Sequence, residues 1–248
     1  MTTQSKASVS LQLWSLRDDV KADFARTLSS VAAIGYPAVE TAGYGNLGVA
    51  EARKVLADLG LKVSGMHVGL GDLQSRLPEI IDEALLLKSP FIVLPWLPAE
   101  RFISVAACQK IGELLNEYGE TLRAFGLQLA YHNHGGEYAL LKGRPVLEWI
   151  LGSAEPRNLK AEVDLYWTHF AGYSPVQAIY DLGARLPLLH LKDAKELGRG
   201  PVDYPKVLAA AQAVGAVEYY VVEQEEYSYP PLEAVRLDFE QLRAWGLV

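Results

Sequence analysis

Cysteine is nearly missing from this chain: its 248 residues hold one, Cys108. No intrachain disulfide can form, which excludes a disulfide-stapled scaffold. Cys108 falls at helical spacing with Ile111 and Leu115, the pattern of a packed side chain rather than a nucleophile. Long apolar runs are lacking too. No stretch approaches the 18 or so residues of a membrane-spanning helix, and the polar start MTTQSKASVS has no apolar segment of the secretory kind. Basic charge is short: Lys plus Arg number 23 against 30 Asp plus Glu, for a net charge of -7, with no basic run. Such a surface repels a polyanion on average, so nucleic acid is a poor partner. These absences together point to a soluble, cytoplasmic protein with neither a membrane nor a nucleic acid as partner.

Half of the residues are hydrophobic, enough for a large core, and the length suits one α/β barrel without requiring a second domain. Apolar runs read as strands at residues 9–14 (VSLQLW), 38–43, 61–69, 91–97, at the start of 127–137, and at 159–164, 186–193 and 218–225. Each is followed by apolar residues at helical spacing. Phe24, Leu28, Val31 and Ala32 follow the N-cap candidate Asp23, Ser174-Pro175 opens another helix, and Gly35, Gly60 and Gly215 close others. Eight strand-helix units with no linker and no low-complexity segment predict a single (β/α)8 TIM barrel spanning residues 1–248. An open doubly wound sheet is the runner-up, disfavoured because the first turn carries no glycine fingerprint.

The chemistry collects at strand ends, where a barrel of this kind places its active site. In LQLAYHNHGGE (127–137), alternation puts Ala130, His132 and His134 on one strand face and Tyr131 and Asn133 on the other. A lone strand histidine is ordinarily a hydrogen-bonded structural residue; a same-face pair followed by Gly135-Gly136 and Glu137 is harder to dismiss. His67 ends strand three, Asp164 strand six, His190 strand seven and Glu223 strand eight. Imidazoles and carboxylates converging on one mouth need protons or a cation to reconcile them. The mixed oxygen and imidazole donors suit a divalent metal: Mn²⁺, Mg²⁺, Co²⁺ or Zn²⁺.

The segments YHNHGGEY, EVDLYWTHFAGYSP, LHLKD, GRGPVDYP and VVEQE, in this order, resemble the sugar phosphate isomerase/epimerase family with the xylose-isomerase-like TIM barrel; LQLWSLRDD and GYPAVE near the start are similar as well. The resemblance runs from about residue 9 to 245. It implies a metal held at the barrel mouth by a carboxylate near strand five, Asp164, His190 and Glu223, with Asp164 and His190 separated by 26 residues as in relatives. Strand five departs from the ketose epimerases, which carry a glutamate within the strand where this chain has Ala130 and then His132. Either His132 fills the ligand place, or Glu137 swings in over the Gly135-Gly136 hinge; the expectation favours Glu137, with His132 and His134 as metal or substrate groups.

The implied activity is isomerisation or epimerisation of a sugar, by removal of a proton next to a carbonyl through a metal-stabilised enediolate. Glu223 is the candidate base, Glu137 or His134 the partner acid, and Lys192 a donor to the developing oxyanion. The same intermediate can expel a β-oxygen, so a keto-polyol (inosose-type) dehydratase or 3-keto-glycoside lyase is the alternative. Trp14, Trp96, Tyr166, Trp167, Tyr227 and Tyr229 offer the small sugar a stacking wall, and Arg17, Glu40 and His67 offer polar contacts. The segment GRG at 198–200 is a family mark rather than a convincing phosphate cradle. An AP endonuclease of the same superfamily needs more histidines than the 5 present; a non-catalytic sugar-binding barrel fits poorly with the retained Asp164, His190 and Glu223. Relatives of this type commonly form homodimers.

Overall fold

The eight apolar runs become eight strands in the computed structural model, which describes residues 7–248; the polar start at 1–6 lies outside the described residues. They are β1 (Ser8–Gln12), β2 (Ala38–Thr41), β3 (Lys62–His67), β4 (Phe91–Leu94), β5 (Gln128–His132), β6 (Leu159–Asp164), β7 (Leu188–Leu191) and β8 (Tyr219–Val222). All pair in parallel with their sequence neighbours, and β1 pairs with β8 to close the barrel. Strand alternation then sorts side chains into two populations. Phe91, Val93, Ala130 and Leu188 meet inside the barrel with Tyr219 against them. The alternate residues, among them Leu129, Tyr131, Leu189 and Leu191, join the larger core formed with the surrounding helices.

Local chemistry sets the element ends. Asp23 accepts from the Arg26 amide at 3.0 Å and starts the helix Phe24–Ile34, and Ser174 caps Pro175–Leu182 in the same way. β1 stops at Gln12, earlier than the alternation implies. The Gln12 side-chain oxygen accepts from the Trp14 amide at 2.9 Å and turns Leu13–Leu16 into a 3₁₀ segment. The helix Val105–Arg123 lies close to its neighbours because Gly119 has no Cβ: one would stand 1.9 Å from the Asn158 carbonyl oxygen. Cys108, Ile111 and Leu115 of this helix are all buried. Among the described residues, no helix is long and apolar enough to cross a membrane.

Candidate metal centre

Strand register determines which polar side chains become neighbours. His132 of β5 stands opposite Glu162 of β6, and Asp164 of β6 opposite His190 of β7. Just past the end of β8, the Glu223 amide donates to the Leu191 carbonyl at 3.1 Å, which brings its side chain level with these. Ala130 and Leu188 point into the barrel, so His132 and His190, two residues further along the same strands, point there as well. His132, Asp164, His190 and Glu223 each offer a ligand atom, and these atoms lie within 4.8 Å of one another.

The free atoms in this group are those a cation needs. Asp164 Oδ1 accepts from the Trp167 amide at 2.7 Å, which leaves Oδ2 buried and without a hydrogen-bond partner. His190 Nε2 is taken by Glu40 at 3.0 Å, and Nδ1 faces Glu223 at 3.5 Å, also without a hydrogen bond. A donor set of two imidazoles and two carboxylates, with one atom of each kind unsatisfied, fits a divalent metal. The carboxylates do not stand alone: the Lys192 ammonium is 3.1 Å from Glu223 and 3.7 Å from Asp164, and also meets Glu225.

Beneath lies a second layer. Glu162 Oε2 is 3.0 Å from His132 Nδ1, 3.1 Å from His67 Nε2 and 3.2 Å from His190 Nε2. Glu40 Oε2 touches His67 at 2.9 Å and accepts from Gln12 Nε2 at 2.7 Å. Glu40 fits because β3 has glycine opposite it: a Cβ on Gly65 would stand 2.5 Å from Glu40 Oε1. The β2–β3 register shifts between Val39 and Glu40, a bulge of the kind that re-aims a side chain.

Charge follows from this packing. Burial works against a proton on His67, but Glu40 and Glu162 outweigh it and push the pKa up to about 10. His190 is likewise carried well above the usual histidine range by its carboxylate neighbours, against burial. Glu162 and Glu223 are held well below the usual carboxylate range, because facing cations overcome desolvation. His132 moves the other way, to about 4, through burial and the cation on His190. Asp164 rises to about 6, since burial outweighs the Lys192 charge.

Other expected residues occupy different places. Glu137, the favoured fourth ligand, is not among the converging atoms. The segment Gly135–Tyr138 forms a 3₁₀ turn, and Glu137 is buried in it, accepting from the Tyr131 hydroxyl at 2.7 Å and the His134 amide at 3.0 Å. Tyr131 belongs to the outward strand face, so Glu137 is tied on the side away from the barrel axis. His134 stays near the site, its ring 5.1 Å from that of His132 and 5.5 Å from that of Trp167. Burial and cationic neighbours bring its pKa down to about 3. Trp167 stacks under Lys192 at 5.2 Å. Trp14 is half-exposed, and Arg17 lies over it while reaching the Tyr227 hydroxyl at 3.2 Å. The glycines of GRG serve Asp193 rather than a phosphate: the Gly200 amide donates to its carboxylate at 3.0 Å.

Sequence reasoning passed over Glu162 and undervalued Glu40. The signal for Glu162 was present in its spacing: two residues before Asp164 in an apolar strand, it must share the inward face. A cavity of about 320 Å³ opens beside His67, with Thr41, Tyr44, Met66, Arg76 and Glu83 in its wall.

Residues 28–245 match the model of the family described as xylose isomerase-like TIM barrel. A crystal structure of a sugar phosphate isomerase/epimerase from Parabacteroides distasonis is similar over 100% of this chain and 97% of its own, at 25% identity and a TM-score of 0.86. A structure of L-ribulose 3-epimerase shares the fold at 17% identity, covering 97% of this chain and 94% of its own with a TM-score of 0.77. The IOLI protein, crystallised with a zinc atom, shares it at 13% identity over 95% and 97%, with a TM-score of 0.76. No curated protein matches the chain in sequence.

Proposed function

The chain belongs to the xylose isomerase-like TIM barrel family, and on that premise we propose that it is a divalent-metal-dependent enzyme that removes a proton next to the carbonyl of a small sugar, as an isomerase or epimerase. One observation carries this reading: His132, Asp164, His190 and Glu223, remote in sequence, present ligand atoms within 4.8 Å of one another. In this reading His132, not Glu137, takes the fourth ligand place. A cation bound there would polarise the carbonyl and an adjacent hydroxyl of the substrate.

Glu223 takes the proton, kept ionised by Lys192 and His190. Lys192, whose pKa its carboxylate neighbours raise against burial, stays cationic and faces the oxygen on which charge develops. Trp167, which lies beneath Lys192, offers the carbon chain an apolar wall. The relatives crystallised as a sugar phosphate isomerase/epimerase and as L-ribulose 3-epimerase support a sugar as substrate.

A second reading, elimination by a keto-polyol dehydratase or 3-keto-glycoside lyase, is favoured by the position of Glu137. Epimerisation asks for a second acid on the opposite face. Glu137 is turned away, and His134 is held neutral by a pKa lowered to about 3. One carboxylate serves both needs in an elimination, since Glu223, once it has taken the proton beside the carbonyl, can return it to the leaving β-oxygen.

Two measurements test the proposal together. Protein purified without chelator should hold metal that an Asp164→Ala/His190→Ala double variant lacks. NMR in D₂O against ketoses, inososes and 3-keto-glucosides should show deuterium entering beside the carbonyl, or loss of the β-substituent, with wild type but not with Glu223→Gln. Equal metal in both proteins, or a fully loaded enzyme inert to every class, would sink the reading.

A further inference from the structure

Glu40, His67, Glu162 and His190 form a closed frame in which oxygen and nitrogen alternate. Its edges are 2.9 Å (Glu40 to His67), 3.1 Å (His67 to Glu162), 3.2 Å (Glu162 to His190) and 3.0 Å (His190 to Glu40), all between carboxylate Oε2 and imidazole Nε2. Two of the edges, His67 to Glu162 and His190 to Glu40, are hydrogen bonds; the other two are as short and have no hydrogen left to fill them. An imidazole Nε2 carries at most one hydrogen, in the ring plane, and each Nε2 here faces two oxygens at nearly equal distance, so both contacts cannot be linear at once. The second oxygens, Glu40 Oε1 and Glu162 Oε1, are buried with no hydrogen-bond partner. His67, His132, Glu162 and His190 each offer a ligand atom, and these atoms lie within 4.8 Å of one another, a mixed imidazole and carboxylate set of the kind that holds zinc. His132 Nδ1, 3.0 Å from Glu162 Oε2, is within reach as a further donor.

We propose that the frame is a second divalent-cation site, directly below the one at the mouth. His190 stands between the two, with Nδ1 toward Asp164 and Glu223 and Nε2 in the frame. An ion held there would displace the Nε2 protons of His67 and His190 into solvent, and only if the mouth site were also filled would the Nδ1 proton of His190 leave as well. The inference goes beyond the mononuclear reading above and does not require it.

The test is metal content after chelator-stripped protein is equilibrated with Zn²⁺ and desalted. Wild type should hold two zinc ions per chain, Glu40→Gln and His67→Gln one each, and Asp164→Asn one, with cooperative melting showing that each variant is folded. Anomalous scattering at the zinc edge from wild-type crystals, which needs no variant, should place one ion between Glu40 and Glu162. Wild type with one ion that Glu40→Gln and His67→Gln both retain overturns the proposal, as does a second ion lying elsewhere or no zinc at all. One ion lost in His67→Gln but kept in Asp164→Asn would uphold the lower site and overturn the mouth site instead.

Discussion

Lys192→Met removes the one buried ammonium of the mouth while keeping most of the stem volume. Lys192 is 2% exposed, and its charge lies 3.1 Å from Glu223 and 3.7 Å from Asp164. At an effective dielectric of 20, the shorter contact alone is worth about 5 kcal/mol before desolvation is counted. Breaking a buried pair by removing one partner costs about 3–5 kcal/mol net. For a chain of this size that is a fall in melting temperature of roughly 6–20 °C, measured by calorimetry in chelator. Excess Zn²⁺ should shrink the deficit, because a dication against the same carboxylates substitutes for the lost charge. The lysine pKa is raised by folding, so its own contribution is complete below about pH 10 and lost only above; the deficit should be the same at pH 8 and pH 9 and smaller at pH 6, where Asp164, with a pKa of about 6, is partly protonated. In the metal-loaded enzyme kcat should drop about 100- to 1,000-fold. Melting within 2 °C of wild type in chelator would refute the electrostatic reasoning.

Three further outcomes follow from particular contacts. Gly65→Ala puts a Cβ 2.5 Å from Glu40 Oε1 and 3.4 Å from Val93, and denaturant unfolding should show a loss of about 1–3 kcal/mol. Gly200→Ala drives a Cβ to 1.7 Å from Asp193 Oδ1; the loop must open, and hydrogen exchange at the Gly200 amide should speed up as its bond to Asp193 breaks. Burial, aided by the charge of Glu196, pushes the Asp238 pKa up to about 8. The fold therefore favours the protonated acid, and wild type should lose stability as pH rises from about 4 to 8. Asp238→Asn, which keeps the acceptor for the Leu197 amide, should lack that part of the slope; parallel melting profiles from pH 5 to 8 would contradict this.

Period-two and helical spacing were enough to mark all eight strands and their helices, because side-chain direction along a strand is a local property of the backbone. Asp164, His190 and Glu223 were legible for the same reason: each is a polar residue at the downstream end of an apolar run. The orientation of Glu137 was not, since it depends on a 3₁₀ turn and on a hydroxyl from the outward face of β5. Nor was the association of Glu40, His67, Glu162 and His190, whose contacts span as many as 150 residues of chain. Spacing says which side of a strand a carboxylate is on. Which imidazole it meets across the barrel depends on strand tilt, the bulge at Val39/Glu40 and the room left by Gly65, and these exist only once the sheet has closed on itself.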